Sequence, residues 1–444
     1  MTPSTSALAW MAAFAVLVLT CAYGIGAPFL LLRTALSIAR RRRLRYRPVD
    51  DEVLATSRFT IPVSLVLPIG AEIPNADAVV RRLLAFRYPE LELIVVVSGA
   101  PATLATLKAE LGLRPGELFY RRSLPTGPVG TIYRSQTEPH LLVVEKAPAS
   151  EGDNLNCGVN LARYRYVCVV DAGSVYEADA LVEAMQAALE DPSLVVGVTT
   201  SMTVTPIETV SATLDGQAPT GLMAAARYLA AARTRLLTVG RRRLDLPPGG
   251  CPGFTIWRRD SVIEAGGFAS NTPAVHADMT FRLHRHYGGD RRRYRIIHVS
   301  EPVGAVDPVD ARTRMVTSGH VPFGVLWRHR AMAFNPTLGR LGLFDFPRYA
   351  FNRLIAPWIE LAALVLVAAA VPLGVITGGQ LLLVLFVVAL GSGTIATSAL
   401  LLSADPARDA RPSALFNLIL IGPVEYFLTR PALLWSRLGL GFRE

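Results

Sequence analysis

The sequence predicts an α/β chain: a Rossmann-type, mostly parallel sheet with helices on both faces, plus transmembrane helices at both ends. Three observations predict it. Short β-branched apolar runs alternate with stretches of helical period between Pro48 and about Arg348. Those runs are apolar on both faces, as strands of a sheet covered on both sides must be. Long uncharged apolar runs stand at either end of the chain.

The first of these, Ala7 to Leu32, carries no charged side chain. At about 1.5 Å per residue it is long enough to cross ~30 Å of hydrocarbon. A secretory signal peptide would carry its positive charges ahead of the apolar run. Here Arg33, Arg40, Arg41, Arg42, Arg43, Arg45 and Arg47 come after it. The positive-inside bias then expects that flank, and the domain behind it, in the cytosol of a multi-pass protein of the cell membrane.

Ile61 to Leu67, Leu91 to Val97, Leu141 to Glu145 and Tyr166 to Val170 read as strands. Helical period is expected over Ala76 to Phe86, Thr103 to Leu111, Asn154 to Ala162 and Glu177 to Leu189. Leu194 to Thr203 and Phe254 to Trp257 read as further strands, and Leu222 to Leu237 as a small-residue helix. Ligands of such sheets bind at the carboxyl ends of the strands, which directs attention to Pro68, Val97 and Asp171 onward. Pro322 to Phe346 has an amphipathic stretch with Trp327, Arg328, His329 and Arg330, suited to a membrane surface.

Leu354 to Ile376, interrupted by Glu360, and Leu381 to Leu402 read as a helical hairpin turning at Gly378 and Gly379. Ser413 to Leu428 contains Pro423 and Glu425, so it is expected either to lie in the interface or to cross as a further span. The expected organisation is an anchor with its basic flank at 1–47, the α/β domain at 48–318, and an interfacial segment at 319–350. Membrane helices follow at 351–444, as a hairpin at 354–402 and an interfacial or third helix at 413–434.

The net charge of +10 calls for an acidic partner. Arginines beside apolar runs point to anionic lipid headgroups, and the absence of interleaved aromatics argues against nucleic acid. Cys21, Cys157, Cys168 and Cys251 form no C-x-x-C pair, which excludes a zinc ribbon or disulfide framework.

An ordered set of motifs runs through this pattern: a strand ending in Pro68, Tyr88-Pro89, Asn154-Leu155-Asn156, Asp171 after the fourth strand, Gly253-Phe254, Gly266-Gly267-Phe268 and Asp278. In that order the chain resembles the membrane-bound family 2 glycosyltransferases, the cellulose-synthase-like and poly-N-acetylglucosamine-synthase-like group. The resemblance implies a GT-A-like fold, a nucleotide-sugar donor, a glycan or lipid acceptor, and Mg or Mn. It also implies a place in polysaccharide biosynthesis and, possessing or lacking chemistry, a partner synthase.

Carried over residue by residue, the resemblance makes Asp171 the metal ligand and Asp278 the catalytic base. It puts Pro68, Glu72, Asp153 and Asn156 at the nucleotide-sugar. Each motif is incomplete. Asp-x-Asp reads Asp171-Ala172-Gly173, and Glu-Asp reads Ala277-Asp278 after His276. The paired aspartates after the second strand are Val97 and Ser98. Asp153 lies in the run that should carry a lysine, with Lys146 upstream. Gln-x-x-Arg-Trp falls on Arg314 to Ser318 and is missing. Asp171 as a turn residue and Asp278 as a helix cap are the structural alternatives. Loss of a base or a charge stabiliser costs about 10²–10⁴ in rate. The expectation is therefore an impaired or lost transferase acting as a scaffold, with an active divergent transferase of unusual donor or metal site as the alternative.

Overall fold

The computed structural model describes residues 3–21, 25, 32, 51–57, 60–73, 75–189, 191–204, 253–289, 293–306 and 323–403. The expected helix at 222–237, the stretch 314–318, most of the basic flank and the segment 413–434 lie outside the described residues. The chain divides into two units: Arg45–Ile207 with Arg241–Leu343, and Met1–Leu44 with Glu208–Gly240 and Phe344–Glu444.

The first unit is built on a ten-stranded sheet. Its strands are β1 (Val63–Ile69), β2 (Leu91–Ser98), β3 (Leu113–Pro115), β4 (Val129–Ser135), β5 (Leu141–Lys146), β6 (Tyr166–Val170), β7 (Ser174–Tyr176), β8 (Val195–Val204), β9 (Phe254–Arg258) and β10 (Arg295–Val306). They lie in the order β3-β4-β5-β2-β1-β6-β9-β8-β10-β7. Pairing is parallel through β5-β2-β1-β6 and between β8 and β10. Strand β9 enters antiparallel between β6 and β8, and β4 and β7 run antiparallel near the edges. The sheet is therefore mostly parallel in direction, as expected.

Side chains alternate across the sheet and feed two cores. Val63, Leu65, Leu67 and Ile69 of β1 face one core, which is closed by Val80, Leu83, Leu104, Leu107, Leu181 and Met185. These come from α3 (Ala76–Leu84), α4 (Pro101–Glu110) and α6 (Ala180–Leu189). Val66 faces the other core with Leu155, Val159, Val262 and Met279, on α5 (Glu151–Leu161), α7 (Arg259–Glu264) and α8 (Val275–Gly289).

Two of the expected strand limits shift. β1 starts later than expected and continues through Pro68, which pairs with Val96 on β2. Its register with β6 ends at Val66, so the N–H that proline lacks is not needed there. Strands β3, β4, β7 and β10 were not expected. β3 is the edge strand and β4 lies next to it, both half-exposed with polar residues that mask the period, and β10 is broken by a register shift at Pro302.

The second unit's described helices are α1 (Pro3–Thr20), α10 (Phe346–Leu354), α11 (Ala356–Ala370) and α12 (Gly378–Ser403). Among the described residues no helix is long and apolar enough to cross a membrane. Ala12 and Ala15 of α1 are buried with Ala363, Val367 and Ala370 of α11 and Val384 and Val388 of α12. Trp10, Phe14, Val365, Leu382 and Phe386 point outward and are exposed. Leu19 and Ile376 are buried with them, so both the inward and much of the outward faces of these helices are apolar. The hairpin turn is not at Gly378 and Gly379, which open α12. The chain turns before them, with Gly374 at φ 69°. Thr377 then caps the helix: its hydroxyl accepts from the Gln380 N–H at 3.3 Å, and the Gln380 side chain accepts from the Thr377 N–H at 2.9 Å.

Helix α5 lies close on β1. A Cβ at Gly158 would come within 2.3 Å of Val66 Cγ1. Overpacking of this kind costs about 1–3 kcal/mol. Gly158→Ala is expected to lower the urea unfolding midpoint of the purified protein by a corresponding amount, with an unchanged slope.

Candidate functional site

The carboxyl edge of the parallel strands carries the candidate site. Asp171 follows the last residue of β6, and Phe254 at the start of β9 pairs with Val170. The Tyr176 hydroxyl accepts from the Asp171 N–H at 2.7 Å and donates to the Gly253 carbonyl. The Asp171 carboxylate in turn receives the Gly173 N–H at 3.4 Å. Asp171 takes part in the turn after β6. Among the described residues no group of three or more His, Cys, Asp or Glu side chains could hold a metal. A cation held at Asp171 would take this one protein carboxylate and rely on substrate phosphates for its other ligands.

Asp278 sits in the first turn of α8 and is fully buried, with 0% of its side chain exposed. Arg282, one turn later, donates from Nε to Oδ2 at 2.6 Å. Arg328 Nη1 donates to Oδ1 at 2.9 Å, and His329 Nε2 lies 2.9 Å from the same oxygen. A carboxylate only accepts, so His329 carries a hydrogen on Nε2. Burial alone would raise the Asp278 pKa. The His329 hydrogen bond and the Arg282 charge outweigh it and hold the carboxyl down at about 2. Asp278 is thus shielded from solvent and met by Arg282, Arg328 and His329. It anchors the segment from α9 (Phe323–Arg328) to α8. Trp327 and Arg330 of that segment do face outward, with the guanidinium 4.8 Å over the indole. Arg328 and His329 instead turn in.

The residues assigned to the nucleotide-sugar are engaged in the fold. Glu72 accepts from the Ala102 and Thr103 N–H groups at 3.1 and 2.7 Å and from the Thr103 hydroxyl at 2.7 Å. It thereby closes the open donors of α4, and the Thr103 hydroxyl bond leads in lowering its pKa. Asp153 pairs with the buried Lys146 ammonium and accepts from the Gly127 N–H at 2.9 Å. Asn156 accepts from the Phe268 N–H at 2.7 Å and donates to the Phe268 carbonyl at 3.0 Å. Asn160, one turn on, holds Leu124 in the same two-sided way at 2.8 and 2.9 Å. Ser98, where an acid was expected, accepts from the Ala149 N–H and donates to the Ala147 carbonyl, each at 2.9 Å. Pro68 remains in β1 at the sheet edge.

Four site residues, His276, Arg282, Arg328 and His329, were not expected in these roles. His276 is buried against Thr255, with Nδ1 and Oγ1 3.1 Å apart. Its Nε2 faces Glu151 Oε1 at 3.9 Å. The Asp278/Arg282 spacing was a usable signal, because Asp and Arg four apart on a helix face each other. The Arg328–His329 contact bridges some fifty residues and left no local mark.

No family model and no curated protein sequence matches this chain. Among solved structures, the chain is similar to a mannosyltransferase from Pyrobaculum calidifontis in complex with GDP-Man and Mn2+. That match is 17% identical, covers 94% of this chain and 99% of that one, and has a TM-score of 0.48. It is also similar to residues 1–349 of S. aureus TarS in complex with UDP-GlcNAc, at 12% identity, 86% and 93% coverage and a TM-score of 0.37. At these scores neither match assigns a site or an activity to this chain.

Two measurements check the site. Removing one partner of a buried ion cluster costs about 3–5 kcal/mol, so Asp278→Ala is expected to lower the denaturation midpoint sharply. Burial pushes His276 down to about 4 and His284 to about 3. Below the ordinary histidine pKa of 6.5, the unfolded chain therefore binds protons that the folded chain refuses, and stability falls as pH drops. Asp278 adds loss in the same direction, but only below the ordinary carboxyl range. Unfolding midpoints should decline from pH 7 to pH 5, and His284→Phe should flatten that decline.

Proposed function

We propose that this chain is a membrane-embedded, glycosyltransferase-like protein that does not itself transfer sugar, and that its α/β domain serves at the cytosolic face as a scaffold or glycan-binding partner. The observation that carries the reading is the state of Asp278. A general base must reach the acceptor hydroxyl and have a pKa suited to taking its proton. Asp278 is sealed from solvent, answered by two guanidiniums and an imidazole, and held near 2.

Further support comes from the residues around it. Glu72, Asp153 and Asn156 spend their polar atoms on backbone and on Lys146, and no cluster of metal-binding side chains stands among the described residues. The uncharged runs at both ends and the large apolar side chains exposed on α1, α11 and α12 support membrane insertion. The arginines after Leu32 support a cytosolic domain.

The test uses full-length protein in detergent or nanodiscs, with GDP-mannose and UDP-GlcNAc as donors. Released nucleoside diphosphate and isothermal titration are followed with and without Mn2+. The expected result is donor turnover at the background of a protein-free control. Mn2+-dependent turnover lost in Asp171→Ala would instead establish the divergent transferase.

A further inference from the structure

The segment from Phe323 to Leu343 carries aromatic side chains that the core of the α/β domain does not use. Val325, Leu326, Met332 and Leu341 turn inward and are buried, while Phe323, Trp327 and Phe334 are exposed. Arg328 and His329 tie the segment to Asp278, so its outward side chains stand on a fixed base.

Phe334 is held out against its backbone preference. Its φ is 58°, a conformation that bulky L residues avoid. The Phe334 N–H donates to the Gly342 carbonyl at 2.9 Å. Gly342 lies so close to the other limb of the loop that a Cβ there would come within 2.2 Å of the Asn335 carbonyl oxygen. Backbone contacts thus close the loop and impose the strain. The phenyl ring gains no burial in return, since Phe334 stays 72% exposed. Strain kept without a packing return points to a use outside the fold.

The charge of the segment selects the occupant. Phe323 to Leu343 contains Arg328, Arg330 and Arg340 and no Asp or Glu. Arg328 answers Asp278, while Arg330 stays at the exposed face. Its guanidinium lies over the Trp327 indole, which stacks with the Phe323 ring at 5.6 Å between centroids. Exposed rings with a guanidinium among them match the headgroup layer of a bilayer, which takes aromatics at its apolar boundary and offers phosphate to arginine. The chain also passes from Leu343 directly into α10 and α11, where Phe351, Ile355, Trp358 and Ile359 are exposed. That continuity favours a lipid surface over a protein partner.

We propose that the surface formed by Phe323, Trp327, Arg330 and Phe334 docks the α/β domain on an anionic bilayer, with the Phe334 ring entering the headgroup layer and Arg330 pairing with lipid phosphate. The bilayer's presence rests on the membrane-embedded reading above; the contact made by this surface is a separate claim.

The experiment places an environment-sensitive fluorophore on Phe334→Cys in the full-length chain, with Cys21→Ser and Cys251→Ser to limit labelling to that site. The protein is reconstituted in phosphatidylcholine nanodiscs with and without phosphatidylglycerol, and its fold is checked by thermal unfolding. With phosphatidylglycerol, the emission should shift to the blue and be quenched by lipids bearing a headgroup nitroxide. One arginine near an anionic surface strengthens attraction about fivefold, so Arg330→Gln should reduce that quenching. Emission typical of water, quenching equally strong without phosphatidylglycerol, or a blue shift without lipid quenching would overturn the proposal; the last would put a protein on this surface. A second label on Phe14→Cys of α1 reports insertion independently. Quenching at position 14 without quenching at 334 removes this docking surface and leaves the membrane-embedded reading intact, whereas no lipid quenching at position 14 sinks that reading.

Discussion

A carboxylate withdrawn from water stays ionised only if cations and donors meet it, and that constraint organises the candidate site. Asp278 is met by Arg282 from its own helix and by Arg328 and His329 from a segment some fifty residues further on. Desolvating three charged groups is costly, and the cluster holds because its hydrogen bonds are short and occupy both carboxylate oxygens. It fixes the start of α8. His276, on the same turn, is thereby held against Thr255 and opposite Glu151. If the cluster opened, the histidine would lose its seat along with the anchored segment.

Helix α5 supplies the other half of the geometry. Gly152 and Gly158 admit the Ala269 carbonyl and Val66 at distances no side chain would tolerate. Asn156 and Asn160, one turn apart, each grip a loop by both its N–H and its carbonyl. The loop at Gly266 and Gly267 takes φ values of 84° and 76°, which glycine tolerates at no steric cost. Residue types that a transferase would turn toward a donor are here turned toward the backbone. At the carboxyl edge of the sheet, Glu72, Asp153, Asn156 and Asn160 satisfy backbone groups and the Lys146 ammonium.

The buried strands were legible in the sequence because β-branched residues fill both faces of β1, β2, β5 and β6, a pattern that few other arrangements can accommodate. Strands near the edge such as β4, half wet and polar, carry no such mark. Positions of the motif residues were legible; their roles were not. Asp278 and Asn156 were singled out by their sequence motifs, but a role depends on which atoms lie opposite. Arg328, His329 and the Phe268 backbone arrive from remote parts of the chain. Nothing local to His276 announces Thr255 as its partner. Its neighbours on the sheet determine its burial.

The most direct measurement of the central claim is carboxyl footprinting of the folded protein with a water-soluble carbodiimide and an amine, read by mass spectrometry. A sealed, cation-locked Asp278 predicts no labelling there under conditions that label the solvent-facing Glu151. Labelling of Asp278 at a rate comparable with Glu151, in protein that remains folded, would contradict the account.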